Sequence, residues 1–317
     1  MKKEFYCAVD IGGTKILLFL IDNKGQVVFR EKIATPKPEH PEIVVEKVVL
    51  LLKKALIALS LHETELTNGV GICIAGFVDH RCGVVHQSPN LHWHNPVPLR
   101  DLMTEALACP VLLENDANAA VLGEVYYGAA IGHRDVIYVT ISTGIGGGLF
   151  LDGRLYRGST GFAGEIGHIK PFGKDRTCQC GGCDCLETWT SGSAIVRSAA
   201  SLWEPGEING QKITTSWVFE QARAGNTLAA AIIEQAIENT GKGLANLVTL
   251  LNPSCIVIGG GVVAGQSDYL KQIAEWIRIE AIRPSVEITP LKIVPAKLEP
   301  EAGIWGIYAI MTEQVVE

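Results

Sequence analysis

The sequence has no run of lysine and arginine, and no stripe of them at helical spacing. Its formal net charge is −7. Together these argue against nucleic acid as the main partner. No apolar run of membrane length is present either. The most apolar segment, Ile43 to Leu59, carries Glu46, Lys47, Lys53 and Lys54. It therefore reads as an amphipathic helix packed on a core, with no membrane partner expected. Two lysines open the chain, but Asp10 and the glycines behind it cut the apolar run short, so it does not read as a signal peptide. Nine cysteines with no such signal point to a reducing, cytoplasmic setting. Cys7, Cys73, Cys109 and Cys255 sit in or beside apolar, strand-like runs and are expected in the core. Gly-x-x-x-x-Gly-Lys-Ser/Thr is also missing, which excludes a P-loop.

What is present is a chain of 317 residues, 47% hydrophobic and 19% charged, long enough for two domains. Its first signal is an internal duplication. An apolar run from Phe5 to Val9 leads into Asp10-Ile11-Gly12-Gly13-Thr14-Lys15, then a second run, Ile16 to Ile21, and a turn at Asp22 to Gly25. The same unit returns later. Val136 to Ile141 leads into Ser142-Thr143-Gly144-Ile145-Gly146-Gly147-Gly148, then Leu149 to Leu151 and a hairpin turn at Asp152-Gly153. Neither glycine run precedes a helix, as a dinucleotide fingerprint would. One such run alone reads as a tight turn. Two, facing each other, would offer backbone N–H groups and threonine hydroxyls to a triphosphate from both sides.

Between and beyond these units the pattern alternates. A helix is expected from Pro41 to Leu59, a strand from Gly69 to Ile74, and a loop from Ser88 to Trp93 that by itself reads as surface. A strand from Val111 to Leu113 runs into Glu114-Asn115-Asp116-Ala117-Asn118. There Asp116 reads either as a helix N-cap or as a general base at the end of a strand. Helices are expected from Ser193 to Ala200, Leu228 to Ala245 and Leu270 to Ala281. A strand at Cys255 to Ile258 precedes Gly259-Gly260-Gly261, Val286 to Val294 alternates as a final strand, and Glu299 to Val315 reads as a closing helix.

The densest chemistry lies between. Cys178, Cys180, Cys183 and Cys185 share one short loop, with His168 upstream. Soft donors at this density suit a closed, structural zinc site of four ligands. A disulfide pair or free thiols are the alternatives, and spacing alone does not say which cysteine is left out. Glu165 and Glu187 flank the loop and would be carried with it.

Gly164-Glu165-Ile166-Gly167-His168, Cys178-x-Cys180-Gly181 and Cys185-Leu186-Glu187 together resemble the zinc motif of the ROK family of bacterial sugar kinases and sugar-responsive repressors. The resemblance runs the length of the chain, and Cys183 departs from it. It implies a structural Zn²⁺ held by His168, Cys178, Cys180 and Cys185. It implies the α/β fold shared by actin, the heat-shock ATPases and hexokinase (ribonuclease H-like): two related domains with an interdomain cleft. On this footing residues 1–117, completed by a C-terminal helix at 300–317, form one domain, and 118–299, with the zinc loop, the other. It implies ATP and Mg²⁺ at Asp10, Gly12, Gly13, Thr14, Lys15, Thr143, Gly144, Gly146, Gly147, Gly260 and Gly261. It implies a sugar at Gly76, Asn90, Asn115, Asp116, Glu165, His168 and Glu187, with Asp116 as catalytic base. The activity implied is phosphorylation of a hexose, glucose before N-acetylmannosamine, fructose or allose, by a homodimer or homotetramer. A sugar-sensing regulator is the remaining family reading, although only nine residues precede Asp10, where those proteins carry a DNA-binding segment.

Overall fold

In the computed structural model, residues 4–36, 40–62, 65–171, 173, 176–203 and 212–315 are described. Residues 316–317, the end of the expected closing segment, lie outside them. Two compact units emerge. The first comprises Met1–Gly132, Gly148–Gly164 and Pro300–Glu317; the second comprises His133–Gly147 and Glu165–Glu299.

The first unit begins with β1 (Phe5–Ile11), β2 (Lys15–Asp22) and β3 (Val27–Ala34), followed by α1 (Pro41–Leu59). Pro41 stands in the first turn of α1, where its missing N–H costs nothing. Val44, Val45, Val48, Leu51, Leu52, Ala55 and Leu56 form its buried stripe, and Glu46, Lys53 and Lys54 are exposed. Next come β4 (Leu66–Ile74), a small hairpin of β5 (Phe77–Asp79) and β6 (Val84–Gln87), α2 (Leu99–Leu107), β7 (Val111–Asn115) and α3 (Asp116–Tyr127). The sheet order is β3-β2-β1-β4-β7. β1, β4 and β7 are parallel, in a register that sets Ile11 beside Ile74 and Ile74 beside Asn115.

Strand β2 shows why this sheet is central. Ile16, Leu18 and Leu20 face one core with α1 and α2, whereas Leu17, Phe19 and Ile21 face another with the C-terminal helix. A strand buried on both faces reads as an unbroken apolar run. Trp93, expected on a surface loop, is 3% exposed and belongs to the first core, as does Leu91. Cys7, Cys73 and Cys255 are buried, and Cys109 packs half-buried at the edge.

In the second sheet, β8 (Val136–Ile141), β9 (Ile145–Leu151) and β10 (Arg154–Leu155) repeat the opening meander. The order is β10-β9-β8-β11-β12, matching the first sheet position for position. The turn is shorter than the glycine run: Gly146, Gly147 and Gly148 lie inside β9. At Gly148 the reason is packing, because a Cβ there would meet the Ala117 carbonyl and Val121 of α3. Asp152 and Gly153 turn with φ of 50° and 77°, as a two-residue hairpin requires.

The second unit continues through α4 (Glu187–Thr190), α5 (Gly192–Ala200), α6 (Thr215–Arg223), α7 (Thr227–Leu251), β11 (Cys255–Gly259), α8 (Ser267–Glu280), α9 (Pro284–Glu287) and β12 (Lys292–Pro295). The expected strand from Val286 is therefore mostly not a strand. Pro284 starts a helical turn, Pro290 offers no N–H, and pairing begins only where Lys292 comes beside Cys255. Among the described residues no helix is long and apolar enough to cross a membrane.

The chain closes in α10 (Ala302–Met311), which returns to the first unit. The boundary expected at 117/118 falls within α3, which stays whole in that unit because it packs directly on α10. Gly306 lies so close to the Ala119 carbonyl that a Cβ would overlap it, and Gly123 stands in the same relation to the Ala302 carbonyl. Backbone against backbone leaves no room for repacking. Gly306→Ala should therefore destabilise the protein by roughly 1–3 kcal/mol, the usual cost of overpacking. Urea denaturation reads this directly; a loss below about 0.5 kcal/mol, the ordinary scatter of surface changes, would contradict the packing.

Candidate active site

In the first unit, the C-terminal ends of three parallel strands carry the candidate residues. This is where open α/β sheets build sites. β1 delivers Asp10, β4 runs on to Gly76, and β7 delivers Asn115 with Asp116 just beyond. The turn at residues 12–14 is closed by Gly12 N–H donating to the Lys15 carbonyl at 2.9 Å, and the Thr35 hydroxyl donates to the Gly12 carbonyl at 2.6 Å. Gly13 lies against Asn90, where a Cβ would come within 2.8 Å of the Asn90 carbonyl oxygen. The absence of a side chain thus sets the turn directly on the Asn90 loop.

The helix N-cap is Asn115, not Asp116. The Asn115 Oδ1 accepts from Ala117 N–H at 2.9 Å and Asn118 N–H at 3.0 Å, and its Nδ2 donates to the Gly76 carbonyl at 2.9 Å. One amide N–H of Asn115 remains for a ligand. Asp116 is the first helical residue. Its Oδ1 also accepts from Ala117 N–H at 2.9 Å, which leaves the other oxygen uncommitted among the described residues. Asn115 is thus tied to Gly76, and Asn90 lies against Gly13.

The electrostatics concern two acids. Burial, reinforced by the like charge of Asp116, pushes the Asp10 carboxyl up to about 7, against the pull of Lys15 and a hydrogen bond from the Cys73 thiol. Burial raises Asp116 as well, opposed by the Ala117 N–H. Such a corner accepts a proton or a cation readily.

In the second unit, the turn at residues 142–144 is braced from behind. Gly192 N–H, at the start of α5, donates to the Ser142 carbonyl at 2.8 Å. Glu187 Oε2 accepts from Ile145 N–H at 2.8 Å, so this expected sugar ligand also fixes the start of β9 and keeps only its other oxygen for a ligand. Gly260 follows β11 with φ of 97°, and its N–H donates to Glu299, which also accepts from the Tyr138 hydroxyl at 3.1 Å. That N–H is therefore not available to a nucleotide.

His168, Cys178, Cys180 and Cys185 come together, with their four ligand atoms within 4.8 Å of one another; Cys183 stays outside, on an exposed bridge to Thr177. The Cys180 and Cys185 sulfurs are 3.6 Å apart, and the Cys178 sulfur is 3.7 Å from His168 Nδ1. A tetrahedral ion with metal–sulfur bonds of about 2.3 Å needs sulfur–sulfur edges of about 3.8 Å. Donor type and spacing both fit zinc, and these four residues could hold it. The other ring nitrogen of His168, Nε2, faces Glu165 Oε2 at 3.9 Å. Ligation at Nδ1 would leave Nε2 as a fixed N–H donor beside that carboxylate.

Three residues that sequence reasoning gave no role belong to this arrangement. Glu299 holds the Gly260 turn. Glu114 is 2% exposed and pairs with Arg157, Nε to Oε2, at 2.8 Å. A charged residue closing an apolar strand is a signal for Glu114; nothing local marks Arg157 or Glu299.

The chain resembles known proteins along its length. The family model described as the ROK family matches residues 6–314. A glucokinase of Halalkalibacterium halodurans is 32% identical over 315 residues, covering 96% of this chain and 94% of that protein. A xylose repressor of Caldicellulosiruptor bescii is 30% identical over 315 residues, covering 97% of this chain and 78% of the repressor. Among solved structures, a ROK family glucokinase from Streptomyces griseus in complex with glucose and AMPPNP superposes with a TM-score of 0.81 at 32% identity, covering 98% of this chain and 99% of that one.

The Asp10 shift has a sign that can be tested. Between an unfolded value of about 3.9 and a folded value of about 7, the folded state binds the extra proton, so Asp10 makes the protein less stable as pH rises through that window. Asp10→Asn removes this penalty. Its melting temperature relative to the parent should gain steadily from pH 4 to pH 7 and level off above. A difference that is the same at pH 4.5 and pH 8 would contradict the assignment.

Proposed function

This chain belongs to the ROK family, and on that premise we propose that it is an ATP-dependent sugar kinase whose substrate is glucose. The observation that carries the reading is the place of Asp116: a half-buried carboxylate at the C-terminal edge of a parallel sheet, raised by burial, beside a second acid. A base poised upward from the ordinary carboxylate range suits proton removal from a hydroxyl near neutrality. The glucokinase relatives and the glucokinase solved with glucose and AMPPNP support the same substrates here.

In this reading Asn90, Asn115, Glu165, His168 and Glu187 bind the sugar hydroxyls. The remaining Asn115 N–H and the open Glu187 oxygen are the parts of those side chains still available. Gly76 binds through its position beside Asn115. Asp116 takes the hydroxyl proton as the sugar oxygen bonds to the γ-phosphorus and the bond from that phosphorus to the ADP oxygen breaks. The turns at 12–14 and 142–144 offer N–H groups and the Thr14 and Thr143 hydroxyls to phosphate. Asp10 would hold the Mg²⁺ that accompanies ATP, with Lys15 near it; the ion neutralises phosphate charge. Zn²⁺ at His168, Cys178, Cys180 and Cys185 would be structural, fixing the His168 ring and the loop that carries it. Four protein donors leave no place for a reactive water on such an ion. Cysteines that hold zinc as thiolates instead of pairing in disulfides suit a reducing, cytoplasmic setting.

A coupled assay of ADP release, with ATP and Mg²⁺ against hexoses and N-acetylhexosamines, tests the reading. Glucose should give the largest kcat/KM. Turnover only with N-acetylmannosamine would keep the chemistry and move the specificity; turnover with no sugar from a zinc-replete sample would overturn the kinase reading in favour of a sugar sensor. Metal analysis should find one zinc per chain. Stripping it with a chelator should raise KM for the sugar at least tenfold, the scale of a lost supporting contact at a metal site, and zinc should restore it. Full sugar affinity in metal-free protein would contradict the structural role.

A further inference from the structure

Glu114 and Asn115 are neighbours on β7, so their side chains leave opposite faces of the strand. Asn115 turns toward Gly76, and Glu114 turns into the protein behind it. There Glu114 Oε1 accepts from the Asn115 N–H at 2.9 Å and from Asn118 Nδ2 at 3.0 Å, while Oε2 accepts from Arg157 Nε at 2.8 Å. One carboxylate thus spans the last residue of the strand and the first turn of α3, with Asp116 between its two anchors. The Arg157 side chain is only 15% exposed. Desolvating both charges is costly, and an apolar pair of the same volume often serves stability as well or better. Fold stability therefore gives a poor account of why an ion pair stands here.

Arg157 is also the base of a closed loop. Its carbonyl accepts from Ala163 N–H at 3.1 Å. Within the loop, the Ser159 carbonyl accepts from Arg81 Nη1 at 3.2 Å, and Phe162 packs edge-on against Phe77 and His86 with ring centres 6.1 and 5.6 Å apart. The loop is thereby fastened to the β5–β6 hairpin, which follows Gly76. The pair joins this loop to the corner that bears Asn115 and Asp116, all within the first unit.

We propose that Glu114 and Arg157 are positioning residues for phosphoryl transfer: their ion pair sets the β7–α3 corner so that the Asn115 amide and the Asp116 carboxylate meet the sugar hydroxyls. The inference rests on the kinase reading above. It assigns neither residue a contact with substrate.

The test uses the full chain with zinc bound. Arg157→Met keeps an unbranched apolar stem and removes the guanidinium with its charge and donors. Its kcat should fall and its KM for the sugar rise, each by about tenfold or more, as misplaced reacting groups do, while KM for ATP stays within about twofold. Arg157→Lys, which retains the charge, should recover part of the loss. Should the single variant fail to fold, Glu114→Gln with Arg157→Met removes both charges together. That pair should regain the melting temperature of the parent and still show the low kcat. A structural brace alone would instead return activity with stability, and that result overturns the inference, as does an Arg157→Met protein with parental kcat and sugar KM. A parent chain that phosphorylates no sugar overturns the kinase reading and this inference with it; a parent that is a kinase with indifferent variants overturns the inference alone.

Discussion

Asp10 and Asp116 sit in surroundings that hydrate neither well, and that burial, with the like charge of Asp116 added at Asp10, governs the corner they share. Left to itself, one of the two keeps a proton; Asp10 is held up to about 7. Lys15 and the Cys73 thiol offset part of that penalty and do not remove it. A magnesium ion and a sugar hydroxyl would supply what is missing, a positive charge for one acid and a hydrogen-bond donor for the other. The rest of the first unit keeps the two acids where they are. Three parallel strands in fixed register end together, Asn115 caps α3 and grips Gly76, and Gly306 lets α10 lie directly on α3.

The second unit solves a different problem, that of holding polar side chains on a loop with little core of its own. The four soft donors gather where the loop has few apolar residues, and a metal would supply the order that packing does not. Glu187 shows how economical the arrangement is. One oxygen secures the start of β9 and the other is left for a ligand, so a single residue links the glycine turn to the cysteine loop. Glu299 does similar work for the Gly260 turn from the far end of the same unit.

Much of this could be read from residues alone where the signal is local. Pro41 and the apolar stripe behind it define α1 to the residue, and the two strand–turn–strand units predict the matched sheets. The gathering of His168 with three cysteines follows from their density. Signals that depend on what lies across the fold were lost. The glycines of β9 look like turn residues until Ala117 is seen against Gly148. Val286 to Val294 alternates like a strand, but Pro284 and Pro290 and the reach of β11 confine pairing to its end. The cap passed from Asp116 to Asn115 because both residue types cap well and only backbone angles separate them. Trp93 is core although its neighbours are exposed, and Arg157 finds Glu114 across 43 positions of sequence.

The central claim is that Asp116 acts on the proton in flight and contributes little to holding the sugar. Asp116→Asn keeps the shape and the acceptor toward Ala117 and removes the base. Titration calorimetry with glucose, set beside turnover of the same preparation, separates the two roles. The account predicts sugar affinity within a few-fold of the parent and kcat lower by about 10²-fold or more, the scale of a lost general base. Turnover near the parental rate, or a loss of affinity that accounts for the whole loss of kcat/KM, would contradict it.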